Sequence, residues 1–259
     1  MRTLLTHLLI FLGLPVLAGP FSVDVVVLGE AHDNPHHHAR QSEIVVQVQP
    51  KALVFEMLTE AQAAEHVAGA DAATLEAAFE WQTSGWPDFA MYYPIFAAAP
   101  DARVFGAGVP RTAARQAMTD GLASAFGIGA GAYGLTTPLQ MAEQEKREAM
   151  QMAAHCDALP EDILPAMVDI QRLRDAQLAK LALKAFEVTG GPVVVITGNG
   201  HARTDWGMPV YLRRAAPEVS ITVLGQGEDG VPPVGTFDVI EYTDGLERDD
   251  PCDAFRAAD

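Results

Sequence analysis

The chain is short of cysteine and short of positive charge, and each shortage removes a class of function. Only Cys156 and Cys252 occur in 259 residues. Neither lies in a Cys-x-x-Cys or a Cys-x-x-Cys-His motif, so zinc knuckles and covalent haem attachment are excluded. Lys and Arg number 17 against 34 Asp and Glu, a formal net charge of −17 at pH 7. Such acidity argues against nucleic acid and anionic membranes as partners. No His-Glu-x-x-His occurs, so the zinc-protease helix is missing. No repeat of solenoid period is present.

What is there begins with processing sequence. The opening "MRTLLTHLLIFLGLPVLAG" has a basic start at Arg2, an apolar stretch and small residues near Ala18. It reads as a secretory signal peptide over residues 1–19. His7 and Pro15 break it, and it is too short for a permanent membrane span. No cysteine follows it to carry a lipid, so no stable membrane anchor is expected. The expectation is a soluble exported protein, periplasmic, whose residues 20–259 make a single α/β domain. In an oxidising compartment the two cysteines can pair. A Cys156–Cys252 disulfide closes a loop of roughly 100 residues, for which the chain-entropy model gives about 4.7 kcal/mol.

Apolar runs alternate with helical patterns. Val23–Gly29 reads as a strand buried on both faces. Asn34 and Pro35 supply a cap and a first-turn residue for a helix to about Val48. Lys51–Met57 is the second strand, followed by helical stretches over Glu60–Glu80 and Phe89–Ala99. Asp101–Arg111 gives a third strand and a turn. Two long helices, Pro138–Ala154 and Glu161–Glu187, form an insertion before the buried strand in Gly190–His201. A short helix and two further strands close the chain. The alternation predicts a mostly parallel central sheet flanked by helices. The Gly/Ala-rich stretch Gly121–Leu135 reads as a loop.

Ligands of open parallel sheets bind beyond the carboxyl ends of the strands. The residues that follow the predicted strands are therefore informative. They are Glu30 and His32, then Glu56, then Arg111, then His201. Two histidines and two glutamates (Glu30, His32, Glu56 and His201) make a credible first shell for a divalent metal ion. They make an equally credible acid/base site in which a carboxylate orients a histidine that activates water. His36, His37 and His38 start the first helix. They point in different directions, so only one or two face any one ligand. His38 reads as a solvated residue, and His36 and His37 as closer to the strand edge. The segment Trp81–Ala99 holds two of the three tryptophans and two of the five tyrosines. A tyrosine hydroxyl or a histidine can ligate haem iron, which makes Tyr92 and Tyr93 the candidates, with His36 and His37 after them; Tyr93 is preferred once the family resemblance given below is added.

The motifs "LGEAHDNPHHHARQ", "VFEML", "WPDFAMYYPI", "AHCDALP", "TGNGHARTDWGMPVYL" and "DPCDAF", in that order, resemble the ChaN-like haem-binding uptake proteins. These share a superfamily with the Tiki metalloproteases, the TraB proteins and the erythromycin esterases. The likeness runs from about Val23 to Phe255. It implies an exported bacterial protein of haem or iron uptake that binds haem, which without an attachment motif is held non-covalently; a homodimer is a separate expectation. It also implies a superfamily site from Gly29–His32, the Glu after the second strand and Gly198–His201. Here these match Glu30, His32, Glu56 and His201. In hydrolytic relatives that site acts on peptides or esters. A hydrolase and a non-catalytic periplasmic interaction domain are thus the alternative readings.

Overall fold

The computed structural model describes residues 19–250, 252 and 253. The expected signal peptide, apart from Gly19, lies outside the described residues. Six strands form one parallel sheet: β1 (Val25–Glu30), β2 (Ala52–Phe55), β3 (Arg103–Gly106), β4 (Val193–Gly198), β5 (Ile221–Glu228) and β6 (Val239–Thr243). Their order across the sheet is β3-β2-β4-β1-β5-β6. The first helices are α1 (Pro35–Val48), α2 (Glu60–Ala64), α3 (Ala72–Ala78) and α4 (Phe89–Ala98). The insertion between β3 and β4 carries α5 (Arg111–Asp120), α6 (Leu122–Phe126), α7 (Met141–Ala154) and α8 (Leu164–Thr189). Two more, α9 (Asn199–Ala202) and α10 (Met208–Ala215), follow β4. The mostly parallel α/β architecture with a long helical insertion is as the sequence predicts.

Strand alternation divides the apolar residues between two cores. Val25, Val27, Val54, Val193 and Val195 face α5, α6, α8 and α10, where they meet Leu178, Leu181 and Leu212. Val26, Leu28, Leu53, Phe55, Val194 and Ile196 face α1–α4, where they meet Ile44, Phe79, Tyr92 and Phe96. Each such side chain taken from water contributes roughly 1.5–3 kcal/mol. Both faces of the inner strands β1, β2 and β4 are covered, which is why these are buried throughout, whereas the edge strand β6 alternates.

Local chemistry sets the helix ends. The Asn34 side chain accepts from the His36 backbone N–H at 2.9 Å, and Pro35 occupies the first helical position. The helical stretch expected over Glu60–Glu80 is broken in two. Gly69 sits at φ +70 between the pieces, a conformation glycine adopts without a Cβ penalty. Gly121–Leu135 departs from the expected loop. It forms α6 and then turns inward, burying Phe126, Ala130, Tyr133 and Leu135 in the α8-side core.

The chain ends as a strap. Beyond β6, Arg248 donates to both carboxylate oxygens of Asp33 at 2.6 and 2.7 Å and to those of Glu228 at 2.7 and 2.8 Å. Cys252 then forms a disulfide with Cys156, just past α7. The tail therefore joins the β1–α1 loop to the end of α7.

Candidate functional site

Because β4 lies between β1 and β2, the carboxyl ends of three strands are neighbours. Glu30 closes β1 and is paired in register with Gly198 at the end of β4. Glu56 follows β2, and its backbone N–H donates to Ile196 O at 3.1 Å. A cleft of about 380 Å³ opens at this edge. His32, Glu56 and His201 line it together with Trp86, Arg174 and Trp206.

Glu30 itself lies behind His32. Its Oε1 accepts from His32 Nδ1 at 2.8 Å and from the Tyr92 hydroxyl at 2.9 Å. Its Oε2 accepts from Gln41 Nε2 at 2.8 Å, with His38 Nδ1 at 3.4 Å. Burial alone raises a carboxyl pKa, but here the hydrogen bonds and charges of His32 and His38 prevail and hold it at about 2. Glu30 is thus an anion fixed in a cage of donors. Burial works against a charged His32, yet Glu30 and Glu56 push its pKa upward. The Glu30 contact commits Nδ1 and leaves Nε2 free, an orientation common to histidines that ligate metals. The ring lies 4.8 Å from Trp86 and 31% of the side chain is exposed. Gly198 is required here: a Cβ at that position would stand 2.8 Å from His32 Nε2.

The second histidine is held differently. His201 Nδ1 contacts Asp175 Oδ1 at 2.7 Å, and Nε2 lies 3.5 Å from Glu56 Oε1. Burial lowers its pKa, but Glu56 and Asp175 overcome this and raise it to about 9. Glu56 is buried too, which raises its pKa. His201, His32, the Thr197 hydroxyl at 2.6 Å and the Gly198 N–H at 2.8 Å hold it below the ordinary value. Burial pushes the Asp175 carboxyl up despite its histidine. At neutral pH His201 is an imidazolium between two carboxylates, suited to holding charge and unsuited to accepting a proton.

Several sequence expectations need correction. The four residues do not make a metal centre: among the described residues no group of three or more His, Cys, Asp or Glu is arranged to hold an ion. The reason is their partners, because Glu30 turns into the α1 donors and both His201 nitrogens face carboxylates. His38 is fully buried, not solvated, because His37, His38, Gln41, Ile44 and Val45 form the inward stripe of α1. Its Nε2 donates to His32 O at 2.8 Å. His37 is equally buried, accepting at Nδ1 from the Ala31 N–H at 2.9 Å, whereas His36 is exposed. Tyr92 is buried with its hydroxyl committed to Glu30, and burial with that carboxylate beside it raises its pKa far above the ordinary phenol. Tyr93 lies outside the cleft, beside His66 and Phe96 in a separate depression of about 170 Å³. Arg111 sits exposed at the start of α5 and does not line the cleft.

Sequence reasoning missed Asp175, Arg174 and Trp206. Asp175 had a signal: it is an acid on the buried face of a long helix, between Leu173 and Ala179. Trp206 is half-buried beneath two cations, with the Arg147 and Arg203 guanidinium carbons 5.0 and 4.1 Å from its ring centre.

Known proteins supply the family. No curated protein matches the chain. The solved structure of ChaN of Campylobacter jejuni, described with cofacial haem binding, is 18% identical. The match covers 85% of this chain and 87% of that one with a TM-score of 0.63, so the two share a fold. The type III effector HopBA1 is more distant, at 12% identity and a TM-score of 0.43 over 86% of this chain and 88% of its own. Residues 21–212 match the model of the haem-binding uptake family of the Tiki superfamily, ChaN, and the chain belongs to that family.

Proposed function

We propose that the protein binds haem non-covalently at the strand-edge cleft and serves haem or iron uptake as an exported protein. Family membership supports the ligand class. The observation that carries the site is the pairing of Glu30 with His32. It orients an imidazole whose Nε2 remains available in a cleft that also holds Trp86, Trp206 and Met150. A porphyrin needs a flat apolar wall and an iron ligand; Trp86, Met150 and Val168 offer the wall and His32 the ligand. Bound haem would supply an iron centre that accepts a nitrogen ligand. The chain's own part is to hold His32 in place through Glu30 and to keep Gly198 small beside it.

The test is a haem titration followed by the Soret band. Wild-type protein is expected to shift the band. His32→Ala should change the bound spectrum, and Tyr93→Phe should not. A spectrum that depends on Tyr93 and ignores His32 would move the site to the α4 depression. No shift in wild-type protein would end the haem reading.

One observation favours a second reading, hydrolysis by acid/base chemistry. The Asp175–His201–Glu56 row is a carboxylate–histidine–carboxylate arrangement. Its protonated histidine fits a general acid better than a general base. Turnover of an ester or peptide library that disappears in both His32→Ala and His201→Ala would make hydrolysis the primary function.

A further inference from the structure

The sheet has an outer edge with which no other described element pairs. β6 is bonded to β5 alone. One bond shows which of its backbone groups point where: the Asp229 N–H donates to Thr243 O at 2.9 Å, so Thr243 faces β5. Backbone groups alternate sides along a strand. Val239 and Glu241 therefore face β5 as well, and the N–H and C=O groups of Ile240 and Tyr242 face outward. Among the described residues these outward groups have no hydrogen-bond partner.

The side chains beside these groups are apolar. Ile240 is 38% exposed and Tyr242 50%. They lie on the sheet face away from α1. Val239 and Glu241 turn toward α1, where Val239 joins the core and Glu241 accepts from Arg40 at 2.6 and 3.0 Å. Exposed Val231 adjoins Tyr242 over Gly227, where a Cβ would strike both Val231 O and the Tyr242 ring. An open strand edge is ordinarily blunted by Lys, Pro, a bulge or a free charge. "VIEYT" holds neither Lys nor Pro, its register with β5 runs without a bulge, and its one charge is taken up by Arg40. β3, the strand at the opposite edge, begins instead with the exposed Arg103. The β6 edge is left fit for pairing.

Charge selects what pairs there. Asp238 and Asp244 bracket the strand, and both are exposed. Asp244 has no ion pair among the described residues, and Asp238 meets Arg213 only at 3.9 Å. An antiparallel second copy with Ile240 opposite Tyr242 would set Asp238 against Asp244 and Glu241 against Glu241. Like charges directly opposite are destabilising. A strand with a cation at each end meets its opposite charge instead. We propose that the outer edge of β6 is a docking site for an extended segment of a partner protein. That segment adds a strand to the sheet through the backbone of Ile240 and Tyr242, lays apolar side chains beside theirs, and brings Lys or Arg to Asp238 and Asp244. The surface is separate from the cleft, which neither Ile240 nor Tyr242 lines, and does not depend on the haem reading.

The probe is an end-capped, fluorophore-labelled peptide, Lys-Thr-Val-Thr-Val-Thr-Lys, titrated by fluorescence anisotropy against the full chain with its disulfide oxidised. Antiparallel pairing sets its valines opposite Ile240 and Tyr242 and its lysines near Asp238 and Asp244. Saturable binding is expected, with amide exchange of Ile240 and Tyr242, followed by NMR, slowed at least about tenfold. N-methylation of both valines removes the donors that face β6 and should weaken binding at least about tenfold, whereas N-methylation of the central threonine, which faces away, should not. Exchanging both lysines for glutamates should weaken it by a like factor. So should Ile240→Lys, with circular dichroism melts to check the fold; the methylated peptides test the same point on unaltered protein. No binding by the wild-type chain overturns the proposal. Equal affinity for the parent and valine-methylated peptides also overturns it, since contact would then occur without strand pairing. Equal affinity for the glutamate-ended peptide overturns the assigned chemistry of the partner. A dimer in sedimentation with the same two amides protected in the absence of peptide gives the edge to a second copy and overturns the proposal too.

Discussion

Replacing His201 by Gln should change how stability depends on pH, because the folded protein holds that imidazole as a cation. Its pKa rises from 6.5 to about 9 in the folded state. A histidine raised in this way stabilises the fold fully below its unfolded pKa. That contribution is lost as pH climbs through the folded value. The window is therefore pH 6.5 to 9. The full shift corresponds to roughly 3 kcal/mol at 1.36 kcal/mol per unit. Burial pushes Asp175 up at the same time, so the pair contributes less than the histidine's shift alone. The expected difference is thus about 1–3 kcal/mol. Urea unfolding at a series of pH values, with the disulfide kept oxidised, measures it. The wild-type advantage over His201→Gln should be largest near pH 6 and shrink by that amount by pH 9.5. His38 is also raised and is present in both proteins, whereas His32 loses the repulsion of His201 in the variant, rises further and offsets part of the difference. Parallel curves for the two proteins would refute the reasoning, since they would mean that His201 is neutral where the geometry makes it charged.

Tyr92→Phe keeps the ring against His38 and Trp81 but removes one donor from buried Glu30. It should cost about 1–3 kcal/mol in chemical denaturation and leave the bound-haem spectrum unchanged; an altered spectrum with intact stability would reverse its role. Cys252→Ser frees the tail from α7 and should lower stability by about 2–4 kcal/mol. Thiol labelling of oxidised, unfolded wild-type protein should find no free cysteine, and two reactive thiols would refute the pairing. Mass spectrometry of protein from the native host should find a new N-terminus near Ala18–Gly19 without lipid, and an intact Met1 would sink the exported reading.

The parts of this protein legible in its sequence are those governed by neighbours along the chain. Val25–Leu28 and Val193–Ile196 announce buried strands by composition, and Asn34-Pro35 announces a helix start by local hydrogen bonding. The convergence of His32, Glu56 and His201 follows from parallel strands ending together. What depends on facing direction was not legible. Adjacent residues of a helix point about 100° apart, so Tyr92 and Tyr93 could be ranked only once the inward side of α4 was known. The same holds for His38, which composition places in water and α1 packing places against Glu30. The paired state of each group was the other hidden quantity. A metal-ligand reading counts donors, and here the donors spend their lone pairs on one another.

The position of β4 between β1 and β2 has a consequence for synthesis. A ribosome releases β1, β2 and β3 well before Val193 appears, yet β1 and β2 share no ladder; each pairs with β4. Until β4 inserts and β5 follows, the nascent protein holds three unfilled strand edges, one on β2 and both on β1, the kind of surface that recruits wrong partners and calls for holdase chaperones. Glu30 and Glu56 are likewise apart until that insertion, so no N-terminal fragment can rehearse the cleft. Premature termination anywhere before Gly198 should yield a chain without a binding site, and a split-protein reporter cut in the β3–β4 insertion should complement only through strand exchange at the centre of the sheet.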